Sequence, residues 1–265
     1  MSTKCSSQIT TPHLLRRGYP GPVEVHDSHG RLVVCLGASI VRGQVSTNLV
    51  NLLNQRMCKD GFHFVNAGVN GDLAYNVLLR LKTVVDRQPD FVVILVGTND
   101  VIGALVPGLA KWYRRTKKLP QLPTEQWYRD NILTIVHNLK ENTQARIALA
   151  SLPVLGENLT STFNKAISAY NAHLKEVAAQ EHVGYLPIHE RQVEYLTSIQ
   201  PVGRDFESSA RLTRGLLLRH YLLRQSFDTI SRKYGYLLVT DGIHLNSHGA
   251  SFITEEIESF LRANG

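Results

Sequence analysis

The chain has 265 residues, 43% of them hydrophobic and 19% charged, with a formal net charge of +7. That composition fits one globular domain with a sizeable core, and no apolar run approaches the ~20 residues that span a bilayer. Three scattered cysteines (Cys5, Cys35 and Cys58) exclude a disulfide framework, and a reducing cytoplasm is the expected compartment.

The stretch 1–30 holds no aliphatic run longer than Leu14-Leu15, so it is not read as a signal-peptide core. A first strand is expected at 31–37 (RLVVCLG), where continuous apolarity indicates burial on both faces. It opens onto GASI, in which Ser39 stands at the start of a helix, either as a plain N-cap or as a group placed for chemistry. The stretch is neither a P-loop nor a dinucleotide fingerprint, because no Gly-Lys-Ser/Thr and no G-x-G-x-x-G occurs. A helical pattern at 45–59 leads to a second strand at 62–68 and the turn NAGVNGD, in which Gly68 and Gly71 let the backbone approach a ligand closely.

A helix at 73–87 and a strand at 91–97 lead to GTND, where Asn99 offers an amide donor at a strand end and Asp100 follows it. The same residues would also make an ordinary Asx-turn. Residues 101–123 then hold five basic residues and no acids, including KWYRRTKK at 111–118. Further on come a helix at 125–142, a strand at 146–153, a helix at 160–181 and a strand at 183–188. Residues 191–238 hold eight basic residues and four acids, so the positive charge belongs to two insertions and not to the framework.

Within the second insertion, Leu212, Leu216, Leu223, Phe227 and Ile230 share one stripe at helical spacing. Leu217, Leu218, Tyr221 and Leu222 fall on other faces, interrupted by Arg214, Arg219 and Arg224. These faces could wall an acyl group or meet a membrane surface. They could equally pack on residues 101–123 or on a second subunit.

The stretch TDGIHLNSHG (240–249) precedes a last helix at about 247–263 and packs Asp241, His244 and His248 together. Asp241 and His244, three apart, can meet through Nδ1 and leave Nε2 as a base. A metal pair of His244 and His248 lacks the H-E-x-x-H pattern and further ligands, and His248 is more simply a first-turn residue capped by Asn246 or Ser247. Strand–helix alternation implies an α/β fold: a three-layer α/β/α sandwich around a flavodoxin-like, doubly wound, five-stranded parallel sheet. One domain spans 1–265, with its core at about 31–263.

Four ordered blocks (GAS, the glycine turn, GTND and D-x-x-H) resemble those of the SGNH hydrolases, also called the GDSL esterase/lipase family. The resemblance implies a serine ester hydrolase with Ser39 as nucleophile, Asp241 and His244 as acid and base, and Ser39, Gly71 and Asn99 as the oxyanion hole. It implies no cofactor and no metal, and a small-molecule or lipid ester as substrate, with an acyltransferase or an O-acetyl esterase as alternatives. The family's Gly-Asp-Ser reads Gly-Ala-Ser, so Ala38 leaves open how the serine loop is held. A basic-plus-aromatic cluster such as KWYRRTKK suits single-stranded nucleic acid, but a solvated loop explains the charges as well, and nucleic-acid binding is disfavoured.

Overall fold

The computed structural model describes residues 30–199, 203–207 and 215–265. The expectation about a signal peptide in 1–30 rests almost wholly on residues outside these, as do those for Leu212 and Arg214. Five parallel strands, β1 (Arg31–Gly37), β2 (Phe62–Gly68), β3 (Phe91–Leu95), β4 (Arg146–Ala150) and β5 (Gly184–Leu186), form a sheet in the order β2-β1-β3-β4-β5. This is the flavodoxin-like order. It puts the switch in connection direction between β1 and β3, where ligands of such sheets gather at the carboxyl ends.

Alternate residues of each strand feed two separate cores. Val34, Leu36, Val92, Ile94, Ile147 and Leu149 face one side, against Ile132, Ile135 and Leu139 of the helix Glu125–Asn142 and Ile167 and Leu174 of the helix Thr162–Gln180. Val33, Cys35, Val93, Ala148 and Ala150 face the other, against Leu49, Leu53 and Met57 of the helix Leu49–Met57 and Ile253, Ile257 and Leu261 of the helix Ser247–Asn264. Strands apolar on every residue are what a sheet covered on both faces requires. Side-chain caps set where several helices begin: Thr124, Ser161 and Asn246 each accept the backbone N–H three residues on.

Strands β3 and β4 end sooner than their apolar runs. Val96, Leu152 and Val154 are buried, yet they lie beyond the ladder and pack in the loops at the sheet's carboxyl edge. The expected helix at 73–87 divides into Ala74–Leu79 and Lys82–Val85. At the break, the Arg80 N–H bonds back to Val77 O, and the Arg80 side chain reaches Asp72 and Gly37 O.

The basic stretch 101–123 is not a loop. It continues the helix Thr98–Leu105 and then forms the helix Pro107–Thr116, with proline at its start. The second insertion departs from a continuous helix: a π-turn occupies Leu218–Leu222, Arg224 adopts φ +51°, and a helix resumes at Phe227–Tyr234. That interruption breaks the expected stripe. Leu216 and Ile230 are fully buried, whereas Leu223 is 54% exposed. No helix among the described residues is long and apolar enough to cross a membrane.

Candidate active site

Four chain segments meet above the carboxyl ends of β1, β2 and β3. The first carries Ser39, which opens a single helical turn, Ser39–Arg42, directly off β1. No side chain of residue 38 is needed to hold this turn. Gly37 O accepts Arg80 Nη2 at 2.9 Å and the Val69 N–H at 3.1 Å, while Ala38 O accepts the Arg42 N–H at 2.9 Å. Arg80 thus supplies a fixing contact where the sequence has alanine.

The second segment is the turn after β2. Gly71 sits at φ +74°, a backbone conformation that favours glycine, and a Cβ there would lie 2.9 Å from Lys117 Cε and push that side chain aside. Beside it, the Asp72 carboxylate is nearly buried and receives Arg80 Nε at 2.8 Å and Lys117 Nζ at 3.0 Å. Two cations on one carboxylate leave this turn net positive, which favours negative charge developing nearby.

The third segment carries Asn99 and Asp100 in the first turn of the helix Thr98–Leu105, after Gly97 at φ +143°. Asn99 is buried, donates from Nδ2 to Asp72 O at 2.9 Å, and accepts the Tyr113 hydroxyl on Oδ1 at 2.8 Å. Asp100 points away from solvent and accepts the Ala74 N–H on both oxygens, at 3.3 and 3.2 Å. Burial pushes its carboxyl up to about 8, against the pull of backbone hydrogen bonds from Ala74 and from its own N–H.

The fourth segment is the loop before the last helix. His244 Nε2 stands 3.0 Å from Ser39 Oγ, across 205 positions of sequence. On the ring's other side, Nδ1 lies 2.9 Å from Asp241 Oδ2 and 3.1 Å from Oδ1. Asp241 Oδ1 also accepts the N–H groups of Ile243 (3.1 Å) and His244 (2.9 Å). Burial would raise the Asp241 pKa, but the His244 charge and hydrogen bond, with those two backbone donors, together hold it below the usual carboxylate range.

This loop is itself clamped. Glu157 is buried and accepts the N–H groups of Leu237, Leu238 and Val239, while Gly156 N donates to Gly242 O at 2.7 Å. Asn246 caps the last helix by accepting the Gly249 N–H and ties back to Ser231 Oγ and Leu237 O.

Ser39 and Asp241 are therefore each in contact with His244, on opposite sides of its ring. Asn99 is linked to the turn of Gly71 through Asp72. His248 is not part of this group: it is exposed and packs edge-on against Tyr195 with ring centroids 4.5 Å apart. Within KWYRRTKK, Tyr113 is buried against Asn99 and Lys117 is turned onto Asp72 and Asn70 O, while Trp112 is exposed. Tyr113, Lys117, Arg80 and Glu157 escaped the sequence reading. For Tyr113 a signal existed in its spacing, because Ala110 and Tyr113 lie three apart on one helical face, the face that the helix Pro107–Thr116 buries.

A family model described as the GDSL-like lipase/acylhydrolase family matches residues 35–251. The chain belongs to that family. As a family member it is an ester-hydrolysing enzyme. Comparison with curated proteins finds no match. Among solved structures, an acetyl xylan esterase, AlAXEase, is similar at a TM-score of 0.62 and 17% identity, covering 87% of this chain and 99% of that one. Axe2, an acetylxylan esterase from Geobacillus stearothermophilus, is similar at 0.59 and 16%, over 89% and 95%. LAE5, an alpha/beta hydrolase enzyme from the metagenome of Lake Arreo, Spain, is similar at 0.60 and 16%, over 88% and 95%. At these identities the likeness establishes a shared fold.

Proposed function

We propose that this GDSL-family chain hydrolyses carboxylic esters through a Ser39–His244–Asp241 triad and a covalent acyl-enzyme. The observation that carries the reading is the line Ser39 Oγ, His244 Nε2, His244 Nδ1 and Asp241 Oδ2, with contacts of 3.0 and 2.9 Å at its two ends. Asp241 is held ionised, so the tautomer it favours keeps the proton on Nδ1 and leaves the Nε2 lone pair facing the serine hydroxyl. His244 takes the Ser39 proton as Oγ attacks the ester carbonyl. The oxyanion is received by the N–H groups of Ser39 and Gly71 and by the Asn99 amide. The imidazolium then gives its proton to the departing alcohol, and water, deprotonated by His244, releases the acid and regenerates Ser39.

For the acyl group, we favour medium chains. Leu218, Tyr221 and Leu222 are exposed, and Tyr221 OH donates to Gln44 O at 2.6 Å, which brings this apolar segment beside the loop that follows Ser39. Gln44 in turn accepts Asn70 Nδ2 at 2.7 Å on the turn of Gly71. Arg224, exposed at the end of this segment, is a cation suited to an anionic head group, whereas Arg219 is turned onto Tyr234. A second reading, a small-acyl deacetylase of carbohydrate, is favoured by the acetyl xylan esterases among the similar folds.

Turnover of p-nitrophenyl esters from acetate to octanoate by wild type, Ser39→Ala and His244→Ala tests both parts. Loss of turnover in both variants, with an optimum at butyrate or longer, is expected. Retention of more than a small residue by Ser39→Ala would remove the triad, and a clear acetate optimum would replace the medium-chain reading with the deacetylase. EDTA should leave the rate unchanged.

A further inference from the structure

The mechanism above uses the Asn99 amide but not the group that orients it. Tyr113 lies on the helix Pro107–Thr116, in the basic insertion, with its ring buried at 7% exposure and its hydroxyl donating to Asn99 Oδ1 at 2.8 Å. The other end of the same amide donates to Asp72 O at 2.9 Å. A carboxamide carries an acceptor at one end and two N–H donors at the other. The Asp72 carbonyl can only accept, so a flipped amide would set two oxygens against each other and leave both without a proton. The observed orientation instead satisfies Oδ1, commits one N–H to Asp72 O, and keeps the second N–H uncommitted by these two partners.

We propose that Tyr113 is a positioning residue for the oxyanion hole: its hydroxyl holds the Asn99 amide in the orientation that turns an Nδ2 proton to the oxyanion. The proposal rests on the reading of Asn99 as an oxyanion donor. It gives the basic insertion a role at the reaction centre distinct from covering the acyl group.

The helix that carries Tyr113 is itself seated on the neighbouring turn. Lys117, one turn further on, donates to Asn70 O at 2.5 Å and to Asp72 Oδ1 at 3.0 Å, and its carbonyl accepts Asn76 Nδ2 at 3.0 Å. Gly103 lies beside the ring and makes room for Pro123: a Cβ there would lie 2.8 Å from Pro123 Cγ and at an ordinary contact distance of 3.5 Å from Tyr113 Cδ2. Burial, and secondarily the nearby Asp100 carboxyl, push the Tyr113 ionisation above its ordinary range, so the hydroxyl remains a proton donor at working pH.

The test is a double-mutant cycle of Tyr113→Phe and Asn99→Ala, read as kcat and KM on p-nitrophenyl butyrate, with Ser39→Ala alongside. Phenylalanine keeps the ring and removes only the donor. Tyr113→Phe should lower kcat roughly tenfold with KM changed less than about twofold, and should cost nothing further in the Asn99→Ala background. Unchanged kcat in Tyr113→Phe, or an equal loss in both backgrounds, would overturn the proposal.

An independent reading that does not need Asn99→Ala is the affinity of butaneboronic acid, whose tetrahedral adduct stands in for the oxyanion. It should weaken in Tyr113→Phe by a factor similar to the fall in kcat, and unchanged affinity would likewise overturn the proposal. Persistent activity in Ser39→Ala would instead overturn the active-site reading itself.

Discussion

Ser46 and Leu245 exchange two hydrogen bonds: Ser46 Oγ donates to Leu245 O at 3.2 Å and accepts the Leu245 N–H at 2.9 Å. Thr47 N adds a third bond to Leu245 O at 2.9 Å. These contacts stitch the loop after the Ser39 turn to the residue that follows His244, and so set the distance between serine and imidazole. Ser46→Ala would leave the Leu245 N–H buried without its partner. It should cost about 1–3 kcal/mol of stability and lower kcat by loosening the Ser39–His244 approach. Calorimetry with kinetics on one preparation checks this. A variant as stable and as active as wild type would show that the stitch does not set the geometry.

Asn99→Ala should lower kcat by roughly 10²–10³, the usual cost of one lost oxyanion donor. KM should change far less, because the hydrogen bond strengthens only as charge develops. A variant altered mainly in KM would make Asn99 a substrate-binding residue.

Two buried carboxyls should shape stability at opposite ends of the pH range. Asp100 is raised to about 8 in the fold by burial, against an ordinary value of 3.8. The folded state therefore binds its proton more tightly than the unfolded chain does. Its contribution is full below the unfolded value and is lost as pH rises through about 8. Asp241 is lowered, so its contribution is full above the unfolded value and is lost as pH falls through the folded one. Asp100→Asn keeps an acceptor for Ala74 and removes the titration. Relative to wild type it should gain stability progressively from pH 5 to 8, read from melting temperatures. A constant difference across that range would contradict the assignment.

Replacing Leu218 and Leu222 with serine should erode a preference for butyrate to octanoate esters while sparing acetate. Both side chains are exposed, at 55% and 71%, so the substitutions should cost little stability. A chain-length profile indifferent to them would separate this segment from the acyl site.

The framework was legible because a strand buried on two faces must be apolar throughout, as Val33 and Val34 are toward opposite cores. Strand ends were less so: Val96 and Leu152 are as apolar as their strand neighbours, and apolarity reports burial, not membership of the ladder. Ser39, Asn99, Asp241 and His244 stood out because each sits at a strand end or in the loop before the last helix, in a recognisable order. Tyr113, Lys117, Arg80 and Ser46 did not, since their partners lie on other segments. Arg80 and Lys117 meet only at Asp72, and Ser46 meets Leu245 across 199 positions. For the second insertion, helical spacing linked Leu216 to Leu223, but the π-turn at Leu218–Leu222 shifted the phase between them, and the left-handed Arg224 broke it again before Phe227.

The central claim is that Ser39 forms a covalent acyl-enzyme with His244 as its base. Mass spectrometry of the enzyme labelled with a fluorophosphonate tests it most directly. The account predicts one adduct on the tryptic peptide that contains Ser39, no adduct in Ser39→Ala, and much slower labelling in His244→Ala. A stoichiometric adduct on another residue, or undiminished labelling of Ser39→Ala, would contradict it.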